Sequence, residues 1–445
     1  MTEILDEAKK PKRAMSEMQA IWRGRIATTG GAVLLGLVAL GFAETADVAQ
    51  HLFYVMLASA PLLPLVLTPG VYGAIVWLTR RYAPEARGSG IPQIIAAAHN
   101  PEAPGNAPLA SMRTASIKLV LTLAALLVGG SVGREGPTVQ ISAAIMQWVH
   151  RLLRVRVTPA VMIAGGAAGV SAAFNTPLAG VAFAIEELAS AYEQKLALLV
   201  MGAVMISGLV SLGLVGDYLY FGIMHDVIAL RDGLLICPLA GVLGGLFGGL
   251  FSKAILLFGA STWSPLTAIR RRPVLWAVFC GLMVALISIG TAGATWGTGY
   301  SVARELIEGT QHSLVFGPAK LLTTLFTTLS GVPGGIFAPS LAAGAGFGNM
   351  LSAAFPDLPM GPIVILGMMG YFVGVVRAPL TAVLIVSEMT DSRAMILPLF
   401  ATAIIADAVS ALVCGERLYH GLSKGFRGDT TAKPEAEAVP PPTAA

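Results

Sequence analysis

The chain is expected to fold as an all-α polytopic membrane protein, and three features of its sequence carry that expectation. Hydrophobic residues fill 55% of the 445 positions and charged residues only 12%, against roughly 25% charged in ordinary globular domains. Apolar runs recur from one end of the chain to the other. Basic residues gather in short clusters beside those runs: Lys9, Lys10, Lys12, Arg13, Arg23 and Arg25; Arg80 and Arg81; Arg151, Arg154 and Arg156; Arg270, Arg271 and Arg272. That placement follows the positive-inside rule. As a soluble chain this length would give about three domains of ~150 residues, but such domains could not hide so much apolar surface. The 51 glycines lack a collagen period, and the apolar content excludes disorder.

Residues 1–25 are polar and basic, too charged and too long to begin a cleaved signal peptide. They read as a cytoplasmic N-terminal segment ahead of a retained first span. Apolar runs follow at about 26–43, 52–78, 114–130, 139–150, 159–185, 196–216, 233–259, 274–291, 313–330, 336–354, 361–388 and 394–414. Residues 26–420 thus read as one transmembrane unit, and 421–445, rich in Pro, Ala, Glu and Thr, as a disordered tail. Several runs are too short, or too broken by Gly and Pro, to cross ~30 Å of hydrocarbon. Interrupted backbone at that depth survives only inside protein or beside a watery cavity. Half-helices meeting near the midplane point to a transporter or channel.

Other classes fall away. The net charge of +4 sits in loop clusters, not in a nucleic-acid-binding arm. Cys237, Cys280 and Cys414 lie far apart in apolar runs as free thiols, and the six histidines have no zinc-ligand spacing. No metal or cofactor is called for. Gly129-Gly130-Ser131-Val132-Gly133 fits the G-x-S-x-G pattern, yet apolar helical runs flank it, no Asp and His partners follow, and a hydrolase is rejected. The small residues of 241–249 serve close helix packing.

A shift of 202 residues, the separation of Lys118 and Lys320, lays the chain on itself. Leu119, Thr122, Gly129, Gly133, Pro137, Pro177, Leu178 and Glu186 then meet Leu321, Thr324, Gly331, Gly335, Pro339, Pro379, Leu380 and Glu388. The register runs without a gap over about 117–188 and 319–390. Duplicated halves mark secondary transporters, with the substrate site between the repeats. The sequence alone leaves parallel and inverted repeats both open.

Gly133-Arg134-Glu135-Gly136-Pro137 is the strongest chemical signal. A membrane glutamate costs several kcal/mol unless paired, protonated or near water. Here it stands at a helix start, whose exposed N–H groups welcome either its carboxylate or a bound anion. One spot that accepts either is a gate, which protonation of Glu135 would free. The plainer alternative is a helix cap. The repeat partner, Gly334-Gly335-Ile336-Phe337-Ala338-Pro339, has no acid and leaves its N–H groups to an anion. Gly88-Ser89-Gly90-Ile91-Pro92 is a third such opening, where Ser89 offers a hydroxyl without a charge. Of the neighbouring pair, Glu186 reads as a solvated helix end and Glu187 as a proton carrier towards Glu135. Tyr419 is either an anion ligand or an interfacial anchor.

These motifs, with Phe174-Asn175-Thr176-Pro177-Leu178-Ala179-Gly180 and Arg377-Ala378-Pro379-Leu380-Thr381, resemble the CLC family of chloride channels and chloride/proton antiporters over about 25–425. The resemblance implies an inverted repeat of broken, re-entrant half-helices, and a homodimer with one pore per subunit. It implies that Ser89, Tyr419 and the N–H groups of Ile336 and Phe337 hold the central anion. It places Glu135 on the external gate and Glu187 on the internal proton-transfer site. Gly88, Gly90, Ile91, Pro92, Gly133, Arg134, Gly136, Pro137, Gly334, Gly335 and Pro339 shape the helix starts. Ser89 matches the chloride-preferring pattern, where proline would suggest nitrate. Gln93 departs from relatives that carry Glu there. Without paired nucleotide-sensing domains the chain is similar to compact prokaryotic members. The implied function is chloride/proton exchange across the inner (plasma) membrane, the alternative a passive voltage- or pH-gated chloride channel. The implied partners are chloride, protons, lipid and a second copy, with no nucleic acid.

Overall fold

The computed structural model describes residues 2–99, 101, 103, 105–188, 194–216, 221–222 and 226–426. Among these, eighteen α-helices follow one another: α1 (Thr2–Ser59), α2 (Pro64–Tyr82), α3 (Ile91–His99), α4 (Met112–Leu127), α5 (Glu135–Leu152), α6 (Pro159–Phe174), α7 (Pro177–Phe183), α8 (Gln194–Val215) and α9 (Leu230–Ala260). The chain continues through α10 (Ser264–Arg271), α11 (Pro273–Gly290), α12 (Tyr300–Ile307), α13 (Phe316–Ser330), α14 (Phe337–Ser352), α15 (Met360–Val376), α16 (Pro379–Thr390), α17 (Ile396–Val413) and α18 (Leu418–Lys424). A π-helical turn, Ala184–Leu188, extends α7. Most of the tail expected at 421–445 lies outside the described residues, though α18 occupies its first four positions.

Three expected runs divide differently, each for a local reason. The run at 52–78 is cut near Pro61 and Pro64, so its beginning belongs to α1, one helix through Ser59. The run at 159–185 breaks at Asn175, which takes a left-handed φ of 57° ahead of Pro177. The run at 361–388 breaks in the same way at Arg377, φ 59°, ahead of Pro379. Each pre-proline residue is driven out of the helical region, and the left-handed residue before it closes the preceding helix.

Among the described residues, five helices are long and apolar enough to cross a membrane. Three of them sit at the margin: two thirds or more of the apolar windows in α8, α11 and α17 face outward. The shorter helices lie inside. Every residue of α15 from Gly361 to Val376 is buried, as are Val161 to Phe174 in α6. At 1.5 Å per residue, helices of 16 and 17 residues reach only ~25 Å, so they stop short within the protein.

The two halves obey the 202-residue shift in backbone as well as in sequence. Gly129 and Gly331 share a positive φ, 75° and 82°, as do Asn175 and Arg377. Helices α5 and α14 start at equivalent residues, Glu135 and Phe337. Gly133 and Gly335 exchange two N–H···O bonds of 2.7 Å in an antiparallel bridge, so a pseudo-two-fold axis passes between them. From that bridge α5 and α14 run apart, each packed against its own partner, α6 or α15. Likewise α3 leans on α5 and α6, while α12 leans on α14 and α15. The repeats are inverted, and α3 and α12 are counterparts.

Candidate ion site

Three glycine-rich loops, expected to converge, do so. The Gly334 N–H donates to the Gly88 carbonyl at 3.1 Å, and the Gly133–Gly335 bridge joins the other two. A β-carbon on Gly335 would fall 2.9 Å from the Gly136 nitrogen and 3.1 Å from the Gly133 oxygen. One on Gly136 would fall 3.0 Å from the Ser89 carbonyl oxygen and 3.1 Å from the Gly335 α-carbon. These close contacts with backbone, which no rotamer relieves, are what glycine at the two positions avoids. Gly88 and Gly90 also hold φ of 64° and 111°, which glycine adopts freely. Pro92, Pro137 and Pro339 stand in the first turns of α3, α5 and α14, where a missing N–H costs nothing. Arg134 turns away from the junction: its guanidinium donates to the Ala43 carbonyl at 2.6 Å and pairs with Asp47 at 2.8 Å.

Two hydroxyls are left over at this junction. Ser89 Oγ and Tyr419 Oη are both buried, face one another, and neither completes a hydrogen bond. A buried polar atom without a partner is uncommon and asks for an explanation. Tyr419 is wholly buried, so it is no interfacial anchor. Its ring stands 6.0 Å from that of Phe337, which Phe174, Phe183 and Phe372 also surround. Ile336 and Phe337 form the beginning of α14, where amide N–H groups have no intrahelical acceptor. Hydroxyl and amide donors, walled by aromatic carbon, can hold an anion without a neutralising cation.

Glu135 reaches the same place. It opens α5 and is buried, with Oε1 accepting from the Tyr300 hydroxyl at 2.7 Å. Oε2 lies against the Ala338 N–H without a full hydrogen bond. The carboxylate therefore lies between the backbone N–H at the start of its own helix and that of Ala338 at the start of α14.

Glu186 and Glu187 part company in the π turn. Such π turns are frequent at functional sites. Glu186 accepts from the backbone N–H groups of Leu380 and Thr381, at 2.9 and 2.6 Å, and from the Thr381 hydroxyl at 2.7 Å. It is not the solvated helix end expected; it caps α16 in the other repeat. Glu388 reciprocates, accepting from Leu178 and Ala179 at the start of α7. Glu187 points inward, fully buried, with no hydrogen bond to either oxygen. Nδ1 of His420, a partly exposed residue next to Tyr419, is 3.5 Å from its Oε1.

Sequence reasoning missed Tyr300, His420 and the two lysines. Lys118 Nζ donates to Gln140 Oε1 at 2.7 Å, and Lys320 Nζ to the carbonyls of Thr295 and Gly297 at 3.0 and 2.6 Å. The doubled lysine was visible in the repeat, and Gly297-Thr298-Gly299-Tyr300 is a glycine-rich helix opening like the other three. Ser131 Oγ lies 3.0 Å from Thr324 Oγ1 in a buried pair, an arrangement that serves packing.

The model of the family described as voltage gated chloride channel matches residues 71–411. Among solved structures, a slow cyanobacterial Cl⁻/H⁺ antiporter superposes with a TM-score of 0.77 at 25% identity, over 92% of this chain and 99% of that one. A CLC-type fluoride/proton antiporter gives 0.74 at 21% identity, over 89% and 96%. A eukaryotic CLC transporter gives 0.72 at 22% identity, over 91% and 74%. The last two likenesses concern the fold.

Proposed function

The chain belongs to the voltage-gated chloride channel (CLC) family, and from that premise we propose that it exchanges chloride for protons, with Glu135 as the gate that competes with the anion. One observation carries the reading: a buried carboxylate and two orphaned hydroxyls share the start of α14. Ser89, Tyr419 and the N–H groups of Ile336 and Phe337 hold the chloride. When Glu135 takes a proton it loses the charge that competes for the α14 amides, and the anion advances. When the proton leaves, the carboxylate returns and the anion is displaced. Glu187 supplies protons from the opposite face, its buried carboxyl meeting His420 and, through it, water.

The preferred ion is chloride, since hydroxyl and amide donors suit a spherical ion that must also leave. Residues 26–420 act as one transport unit. The protein resides in the inner membrane with its N-terminus in the cytoplasm, and two copies pair, each with its own pathway. The passive channel is the second reading, because gate and anion site would serve it equally; the inward, otherwise unexplained Glu187 favours exchange. Purified protein in liposomes with a chloride gradient decides: exchange drives protons uphill. Chloride flux without proton movement leaves the channel.

A further inference from the structure

We propose that Tyr300 is a positioning residue that latches the Glu135 carboxylate and so sets how readily the gate yields to the anion. The inference rests on the reading of Glu135 as the gate. It starts from the hydrogen bond of 2.7 Å from the Tyr300 hydroxyl to Glu135 Oε1, which meets full geometry, whereas Oε2 completes none.

Tyr300 is held in place from three sides. Gly299 takes φ 85° to turn the chain into α12. A β-carbon there would fall 2.6 Å from that of Ala342 and 2.9 Å from Lys320 Cε, so the turn is pressed onto α13 and α14. Lys320 clamps the carbonyls of Thr295 and Gly297, in the segment leading to Tyr300. The ring of Phe221 meets the Tyr300 ring edge-on at 5.6 Å, and the Phe221 N–H donates to the Met389 carbonyl. The phenol is thus delivered to the carboxylate by a braced turn.

The inverted repeat explains why the donor comes from there. Helix α3 brings Ser89 to the junction at its start, and α12, its counterpart, brings Tyr300. Each approach is braced by the equivalent lysine: Lys320 directly, and Lys118 through Gln140, whose Nε2 donates to the carbonyls of Glu85 and Leu109. One hydroxyl is left for the anion and the other engages the carboxylate.

A phenol suits a latch. It strengthens the carboxylate form by a charge-assisted hydrogen bond without adding a cation that would trap the anion. The other charged or titratable groups that act on Glu135 are Arg134, paired with Asp47, and Tyr419, while the two lysines are held by the partners described. On α12 itself, Arg304 pairs with Glu308, and Glu305 with His312.

Tyr300→Phe removes the hydroxyl and keeps the ring against Phe221. In liposomes with equal pH on both faces, half-maximal chloride flux should move to higher pH, by on the order of one unit, because the protonated gate is no longer opposed by the lost donor. In a Glu135→Gln background the same substitution should change nothing, since no carboxylate remains to latch. Superimposed pH profiles for Tyr300→Phe and the unsubstituted protein, with Glu135→Gln uncoupled, would overturn the latch and leave the gate standing. Equal effects of Tyr300→Phe with and without Glu135 would overturn it too, as a change of shape alone. Wild-type coupling in Glu135→Gln would remove the gate reading itself.

Discussion

Glu186 in the first half of the molecule and Glu388 in the second hold equivalent positions and do the same work, each capping a helix of the other half. Glu135 and Glu187 have no such twins. The 202-residue shift sets Phe337 opposite Glu135 and Met389 opposite Glu187. A pseudo-two-fold fold needs its structural contacts twice, because each half presents the other with the same unsatisfied helix ends. The duplicated acids are accounted for by that need, and the duplicated lysines Lys118 and Lys320 each brace a segment within their own half. An unduplicated buried acid costs several kcal/mol unless it is paired, protonated or near water, and the pseudo-symmetry gives no reason for it. Where the symmetry breaks, the chemistry of transport is to be sought.

The comparison is broken most severely at Glu135. Glu135→Gln should reduce proton movement to background while chloride still passes, because the amide neither competes as a charge nor carries a proton. Paired chloride and pH electrodes on one liposome preparation read both. Gly335→Ala attacks the axis itself, since its β-carbon meets backbone of the opposite repeat. The expected result is loss of folded, monodisperse protein, checked by size-exclusion chromatography.

How far the sequence foretells this division depends on residue type. Gly, Pro and Glu at fixed spacing mark the helix starts and the repeat, because few residues meet those backbone demands. The broken spans at Asn175 and Arg377 stayed hidden behind continuous hydropathy, although Pro177 and Pro379 signalled them. The partner of Glu186 could not be read, since a reciprocal cap joins residues nearly two hundred positions apart. Tyr300 was hidden for another reason: an aromatic beside an apolar run reads as packing until its hydroxyl is seen on a carboxylate.

The duplicated caps supply a milder contrast. Glu186→Ala and Glu388→Ala should each lower stability by about 1–3 kcal/mol, with the larger loss at Glu186, which accepts three hydrogen bonds against two. Thermal unfolding in detergent measures the loss, and the proton-to-chloride ratio of the folded fraction should not change. The smallest effect is expected at the selectivity element. A hydrogen bond is worth about 1 kcal/mol net, so Ser89→Pro should raise nitrate over chloride transport by roughly fivefold. An unaltered preference would make Ser89 a turn residue only.

The two neighbours in the π turn test the account most directly, because they share a backbone and differ in whether the other half repeats them. The measurement is the proton-to-chloride ratio in liposomes for Glu187→Gln beside Glu186→Gln. Symmetry predicts that Glu187→Gln abolishes proton movement while chloride flux and the pH response of Glu135 persist, and that Glu186→Gln keeps the wild-type ratio. A wild-type ratio in Glu187→Gln, or loss of coupling confined to Glu186→Gln, would contradict it.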